Sequence, residues 1–246
     1  MTSDYILQTE KVNKFFGGIQ ALCDLSIQVK RGEILGIIGP NGSGKSTFFK
    51  IVMGVYKPES GKVLFDGVDI TNFPPFKVCR MGIAMAYQIP KPFSSLTVME
   101  NLLVAAISGG DMPKQDAEEY CLDILKLTDL YKIKDKPAGV LLPLELKRLE
   151  VGRALASKPK LLLLDEPAAG MREKEIAELL ELVKMVNSQG TTIILVEHRM
   201  DVVVKAVEEL VVLNRGAVLA QGGVSQILDS TVVADIYLGR RFRGRA

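Results

Sequence analysis

The chain has 246 residues, of which 48% are hydrophobic and 24% are charged, and its formal net charge is +2. This length and composition predict one large globular domain, or one domain with a lobe, and the near-neutral charge excludes a general attraction to nucleic acid. No apolar run approaches the roughly 18 residues that span a bilayer. We therefore expect any role at a membrane to be exerted from the cytosolic side through a partner.

Three widely spaced cysteines, Cys23, Cys79 and Cys121, are predicted to be reduced, packed thiols.

The N-terminal part is predicted to be antiparallel β-structure. Apolar and polar positions alternate over residues 5–35, with turns at 17–18 and 30–32. A second hairpin is predicted at residues 58–67, where Asp66-Gly67 forms the tight turn.

A glycine-rich segment matches the pattern G-x-x-x-x-G-K-[ST] between a predicted strand at 34–38 and a predicted helix at 46–53. Backbone N–H groups in such a turn surround a phosphate, and the helix N-terminus adds its positive dipole end. We expect Lys45 to reach the β- and γ-phosphates and the Ser46 hydroxyl to ligate Mg²⁺. The pattern predicts a nucleoside triphosphate site formed by Gly39, Pro40, Asn41, Gly42, Ser43, Gly44, Lys45, Ser46 and Thr47.

The middle of the chain is predicted to be mostly helical. Prolines interrupt residues 74–93, in which a short apolar run precedes Gln88. Helical patterns follow at 97–106, 113–131 and, after breaks at Gly139 and Pro143, 146–156.

Strand-type runs return at 160–164, 191–196 and 210–213, and a helical pattern separates the first two. This alternation predicts a parallel sheet covered by helices. The expected fold class is α/β, with a P-loop NTPase core that has a mostly parallel central sheet, an antiparallel β subdomain and an inserted helical subdomain. We predict a single domain over 1–246, with residues 1–94 and 151–246 in the core and 95–150 in the helical subdomain.

Polar residues follow three of the predicted core strands. Asp165 and Glu166 end an aliphatic run, His198 follows another, and Gln88 follows the short run in the middle of the chain. Ligands bind at the carboxyl ends of parallel strands, where Asp165 is expected to hold Mg²⁺ through water and Glu166 to orient or deprotonate an attacking water. Gln88 is expected to reach the metal or the water. The alternative for each residue is a solvated side chain at a strand end.

A soluble P-loop kinase or GTPase would share the glycine-rich loop. The sequence contains no Asn-Lys-x-Asp guanine-binding motif, and the helical region lacks a motif for an acceptor substrate.

The order and spacing of these motifs resemble the ATP-binding subunits of ABC transporters along nearly the whole chain. Within that family, several stretches resemble the ATPases of branched-chain amino-acid importers, and ATPases for urea or amides share them. These stretches are residues 14–22, 88–93, 96–101, 165–170 and 237–239.

The resemblance implies an ATPase that uses ATP and Mg²⁺ and lies peripherally on the cytoplasmic face of the inner membrane. The implied partners are integral membrane permease subunits, a second ATP-binding subunit and, indirectly, a solute-binding protein. A non-transport ABC ATPase or an exporter subunit is the alternative.

The resemblance also assigns roles to individual residues. Phe16 would stack on adenine, although Phe15 is a rival and a core phenylalanine is the alternative. Gln88 would couple the site to the membrane subunits, Glu166 would be the catalytic carboxylate, and His198 would contact the γ-phosphate. The implied metal ligands are Ser46, Gln88 and Asp165. Residues 93–106 would contact the coupling helix of the membrane subunit.

One motif departs from the family pattern. The signature Leu-Ser-Gly-Gly-Gln is expected just before Arg148, where this chain has Leu142-Pro143-Leu144-Glu145-Leu146-Lys147. In the family this loop offers a serine and backbone N–H groups to the partner's γ-phosphate, whereas Pro143 lacks an N–H and Glu145 would repel phosphate. We therefore favour a heterodimer with a second ATPase subunit over a homodimer that tolerates the divergent loop.

A basic cluster lies at 240–245, just before the final residue Ala246. Such a tail is usually solvated and mobile, and contact with anionic lipid or with the membrane subunit is the alternative.

Overall fold

The computed structural model describes residues 4–230, which belong to two compact units. The first unit takes its described residues from 4–72 and 194–230, and the second comprises Phe73–Ile193. The predicted helical subdomain, residues 95–150, does not have the same boundaries as either unit, and the predicted division into subdomains stays a prediction.

The strands are β1 (Tyr5–Phe16), β2 (Ile19–Leu25), β3 (Gln28–Lys30), β4 (Ile34–Ile38), β5 (Ser60–Phe65), β6 (Val68–Asp69), β7 (Ile83–Ala86), β8 (Leu161–Asp165), β9 (Thr192–Val196), β10 (Glu209–Asn214) and β11 (Ala217–Gly223). The α-helices are α1 (Lys45–Val52), α2 (Pro75–Arg80), α3 (Val98–Val104), α4 (Lys114–Leu127), α5 (Pro143–Ala156), α6 (Glu173–Ser188), α7 (Met200–Ala206) and α8 (Val224–Leu228). A π-helical segment, Ala105–Gly109, continues α3, and short 3₁₀ turns lie at Tyr131–Ile133 and Ala138–Val140.

The first unit contains an antiparallel sheet with the strand order β2-β1-β5-β6, in which β3 also pairs with β1. Leu7 of β1 lies opposite Phe65 of β5, and both side chains are fully buried. In the same unit β4 pairs in parallel with β10, and β10 pairs antiparallel with β11. The backbone N–H of Glu197 donates to the carbonyl of Ile37 at 3.3 Å, so the end of β9 lies beside β4.

In the second unit β7 and β8 form a parallel pair, with Met85 opposite Leu163. Every residue of β7 and the first four of β8 are buried, as expected for strands covered on both faces. Helices α3, α4 and α5 pack on one another, and α5 also packs on β7. Strand β7 therefore packs against a helical cluster within this unit.

Several elements differ from the sequence expectations. Pro75 and Pro143, which were predicted only to interrupt the chain, are each the first residue of a helix, where no backbone N–H is needed. Helix α5 therefore begins three residues before the predicted start at 146. Strand β11 and helices α7 and α8 had no predicted counterpart.

Two features of the sequence lie outside the described residues. They are the stretch at 237–239 that resembles the importer ATPases and the basic cluster at 240–245. Among the described helices, none is long and apolar enough to cross a bilayer.

Candidate functional site

The glycine-rich loop lies in the first unit, between the end of β4 and the start of α1. Gly44 is the N-cap residue of α1 and has a φ of 106°, in the region that L side chains rarely adopt. A Cβ atom at Gly44 would lie 2.8 Å from the carbonyl oxygen of Ala21, and one at Gly39 would lie 2.4 Å from that of Leu213. Both positions therefore require glycine for reasons of space.

Two polar side chains inside this loop are buried. The Nζ atom of Lys45 donates to the carbonyl oxygens of Gly39 at 2.6 Å and Pro40 at 3.2 Å. The hydroxyl oxygen of Ser43 is buried and has no hydrogen-bond partner among the described residues. An unsatisfied buried hydroxyl is costly, and an anionic oxygen in the loop would supply the partner it lacks. Ser46, in the first turn of α1, is exposed.

His198 and a buried carboxylate follow β9 in the first unit. His198 is exposed, whereas Glu197 is completely buried, and the carboxylate of Glu197 accepts a hydrogen bond from the backbone N–H of His198 at 3.3 Å. Sequence reasoning missed Glu197. Its position directly after a run of buried apolar residues was the available signal.

Phe16 is not part of the core, because 42% of its surface is exposed. Its ring contacts that of Tyr56 edge-on, with 5.1 Å between centroids, and Lys14 Nζ lies 5.4 Å from its centroid. The alternative of a core phenylalanine is therefore wrong. Phe15 is equally exposed and remains the rival for an adenine-stacking role.

Gln88 and Glu166 meet in the second unit. β7 and β8 run in parallel with Ala86 opposite Leu164, so the residues that follow both strands lie at the same edge. Gln88 Nε2 donates to Glu166 Oε2 at 2.5 Å, and Asp165 and Glu166 are both half-buried. Glu166 has a φ of 47°, a left-handed conformation that is uncommon outside glycine. This arrangement presents a carboxylate that an amide orients, as a general base requires.

The divergent signature segment forms the start of α5. The carboxylate of Glu145 accepts a hydrogen bond from the backbone N–H of Leu142 at 2.8 Å, so a negative charge of this chain occupies the helix N-terminus. Lys147 Nζ donates to the carbonyl oxygens of Pro167 and Ala169, which follow the Asp165-Glu166 pair. Sequence reasoning found the departure from the pattern but missed the contacts of Lys147.

The family profile described as "ABC transporter" matches residues 22–169. The chain belongs to the ABC transporter family. A probable branched-chain amino acid transport ATP-binding protein, LivG of Archaeoglobus fulgidus, is 39% identical over 245 residues, covering 95% of each chain. In Pseudomonas aeruginosa two proteins are similar, and both are named high-affinity branched-chain amino acid transport ATP-binding proteins. BraF is 34% identical over 95% of this chain and 98% of its own length, and BraG is 35% identical over 95% and 100%.

A solved ATP-binding cassette of an ABC transporter in its ADP conformation superposes with a TM-score of 0.87. It is 34% identical and is aligned over 96% of this chain and all of its own. The predicted fold class, the predicted ABC-type ATPase and the binding of nucleotide are confirmed by these similarities.

Proposed function

We propose that this chain hydrolyses ATP as the peripheral subunit of an importer for branched-chain amino acids or similar small solutes, on the cytoplasmic face of the membrane. One observation carries the proposal. An intact phosphate loop occurs in a chain that is similar, along 95% of its length, to proteins named for branched-chain amino acid transport. Permease subunits would supply the solute pathway, and a solute-binding protein would deliver the solute to them.

In this proposal the loop binds the triphosphate. Lys45 exchanges the carbonyl oxygens of Gly39 and Pro40 for the β- and γ-phosphates, and Ser43 and the loop N–H groups donate to the same oxygens. One of the exposed aromatic residues, Phe16, stacks on adenine.

The residues proposed as metal ligands are Ser46, Gln88 and Asp165. A hydroxyl, an amide oxygen and a carboxylate are the oxygen donors that magnesium prefers, so the donor set fits this ion. Bound magnesium would neutralise part of the negative charge on the phosphates.

Glu166 is the proposed base for the attacking water. The hydrogen bond from Gln88 holds its carboxylate in one orientation, and His198 contacts the γ-phosphate. ATP binding favours a closed pair of ATP-binding subunits, and loss of the γ-phosphate removes contacts and reopens the pair. The movement reaches the permeases through Gln88 and residues 93–106.

Glu166→Gln tests this function. The variant keeps a side chain of the same shape, so we expect it to bind ATP normally while turnover falls by about 10²- to 10⁴-fold. Filter retention of radiolabelled ATP and phosphate release would measure the two quantities. Normal turnover in the Glu166→Gln variant would remove this carboxylate from the mechanism.

The partner ATPase subunit is proposed to be a different protein. Three features of α5 support a heterodimer: Pro143 has no N–H, Glu145 already caps the helix N-terminus, and its charge opposes an incoming phosphate. The existence of two similar ATP-binding proteins with the same transport name in Pseudomonas aeruginosa also supports a pair of different subunits.

In such a pair, hydrolysis occurs mainly at the site that uses Lys45 and Glu166 of this chain and the signature of the partner. Glu166→Gln should abolish most ATPase activity of the reconstituted heterodimer, whereas the equivalent change in the partner should leave most of it. The reverse pattern would contradict the heterodimer proposal.

A further inference from the structure

The loop after Gln88 is held by polar side chains of α5. The carboxylate of Glu150 lies 3.4 Å from the backbone nitrogens of both Tyr87 and Lys91 and accepts a hydrogen bond from each. Arg153, one turn later on α5, donates from Nη1 to the carbonyl oxygen of Lys91 at 2.8 Å and to Glu150 at 3.1 Å. The contacts lie on both sides of Gln88, so they fix the positions from which its side chain extends.

The far end of this loop is held by α3. The amide of Asn101, which is completely buried, accepts from the backbone N–H of Phe93 at 2.9 Å and donates to the carbonyl oxygen of Phe93 at 3.1 Å. The Arg153 guanidinium also lies 5.3 Å from the centre of the Phe93 ring. Between the two anchored ends, Ile89 is 70% exposed.

The Glu150–Arg153 pair is mostly withdrawn from water, because the side chains of Glu150 and Arg153 are 7% and 22% exposed. Burying an ion pair gives little net stability, since desolvation offsets much of the attraction. The pair instead holds the backbone groups of Tyr87 and Lys91 in place. Gln88 lies between these two residues, and its Nε2 atom is 2.5 Å from Glu166 Oε2.

We propose that Glu150 and Arg153 are positioning residues that set the placement of Gln88 against Glu166. They also link this contact to the divergent segment at the start of α5, since Pro143 lies seven residues, or about 10 Å, before Glu150 along the helix. A displacement of the N-terminal end of α5 by a partner subunit therefore moves the anchors of the Gln88 loop. The inference rests on the proposed function of Glu166.

The test uses Glu150→Gln and Arg153→Lys in the full-length chain, assembled with its co-purifying transporter subunits. Neither residue belongs to the phosphate loop, so the affinity for MgATP should stay within about twofold. Turnover should fall about 10- to 100-fold, because a catalytic group is misplaced by a fraction of an ångström or more. The matched control is Glu118→Gln, an exposed glutamate on α4, which should leave both quantities unchanged.

A double-mutant cycle distinguishes positioning from a general structural role. If Glu150 acts through Gln88, the combination of Glu150→Gln with Gln88→Ala should be no slower than Gln88→Ala alone. Additive losses, or wild-type turnover in both Glu150→Gln and Arg153→Lys, would overturn the inference. Failure of the proposed function has a different signature, which is normal turnover in Glu166→Gln.

Discussion

The ammonium group of Lys45 lies 2.6 Å from the carbonyl oxygen of Gly39, six residues earlier in the same loop. This contact ties the two ends of the phosphate loop together. A buried ammonium needs acceptors, and the loop carbonyls supply them; in the proposed function, phosphate oxygens replace them when ATP binds. The residue proposed to bind the phosphates thus also holds the loop together.

Lys45→Ala would remove the proposed charge-assisted contacts to the phosphates. We expect affinity for ATP to weaken by about 10- to 100-fold. Calorimetry with MgATP measures the change, and Lys57→Ala, at an exposed lysine outside the loop, is the control. Equal affinity in Lys45→Ala and Lys57→Ala would exclude this lysine from the binding site.

Gly39→Ala tests whether the loop needs glycine for space. The added methyl group would meet the backbone oxygen of Leu213 at 2.4 Å, which cannot move without displacing β10. We expect the free energy of unfolding to fall by about 1–3 kcal/mol, as for other overpacking changes. Gly18→Ala is the control, because no atom lies within 4 Å of a Cβ there. Urea denaturation of both variants compares them, and equal unfolding free energies would refute the steric argument.

The first four positions of the signature can be restored by Pro143→Ser, Leu144→Gly and Glu145→Gly together. Pro143→Ser returns the one missing backbone N–H, and the two glycines remove the side chain of Leu144 and the carboxylate that caps α5. In the proposed heterodimer we expect ATPase activity to rise about twofold, as a second site of similar rate begins to turn over. Val140→Ser, at a 69% exposed residue nearby, should have no effect.

The same triple change should also restore activity to a heterodimer that carries Glu166→Gln in this chain. Turnover would then occur at the other site, where the partner provides the catalytic carboxylate. Unchanged activity in both backgrounds would show that Pro143 and Glu145 do not limit hydrolysis.

Burial raises the pKa of the Cys121 thiol from 9.0 to about 11. The thiolate is the reactive form, so at pH 8 we expect Cys121 to react with Ellman's reagent about 100-fold more slowly than an ordinary thiol. Burial in the folded protein favours the neutral form of this thiol. The contribution of Cys121 to the free energy of unfolding is therefore complete below about pH 9 and declines as the pH rises towards 11. Stopped-flow labelling with and without urea measures the rate at which each thiol reacts. The Cys121→Ala variant should lack the slowest phase of labelling, which assigns that phase to Cys121. Labelling of all three cysteines at one rate in the native protein would contradict it.

The sequence was most informative where local rules decide the structure. The strand, glycine-rich loop and helix around Lys45 follow from apolar patterning and glycine geometry, and the structure has all three. The start of α5 differs from the predicted start at 146 because a proline that breaks a helix interior is also favoured at the first position of a helix. The start of the helix at Pro143 also depends on Glu145, whose carboxylate accepts a hydrogen bond from the backbone N–H of Leu142, the residue before Pro143.

Other residues could not be found from spacing alone. Glu150 and Arg153 lie on a helix whose sequence gives no sign of a backbone loop more than 50 residues away, and only the fold brings them to Lys91. The buried state of Glu197 likewise depends on neighbours that local patterning does not specify. Tertiary contacts therefore determine the groups that surround the predicted motifs.

The left-handed backbone at Glu166 narrows which side chains this position tolerates. Glycine and asparagine adopt that conformation readily, whereas valine and isoleucine resist it. In a saturation library we consequently expect β-branched variants to be less stable and glycine or asparagine variants to be folded but inactive. Only aspartate and the native glutamate would carry a carboxylate that supports growth on the transported nutrient.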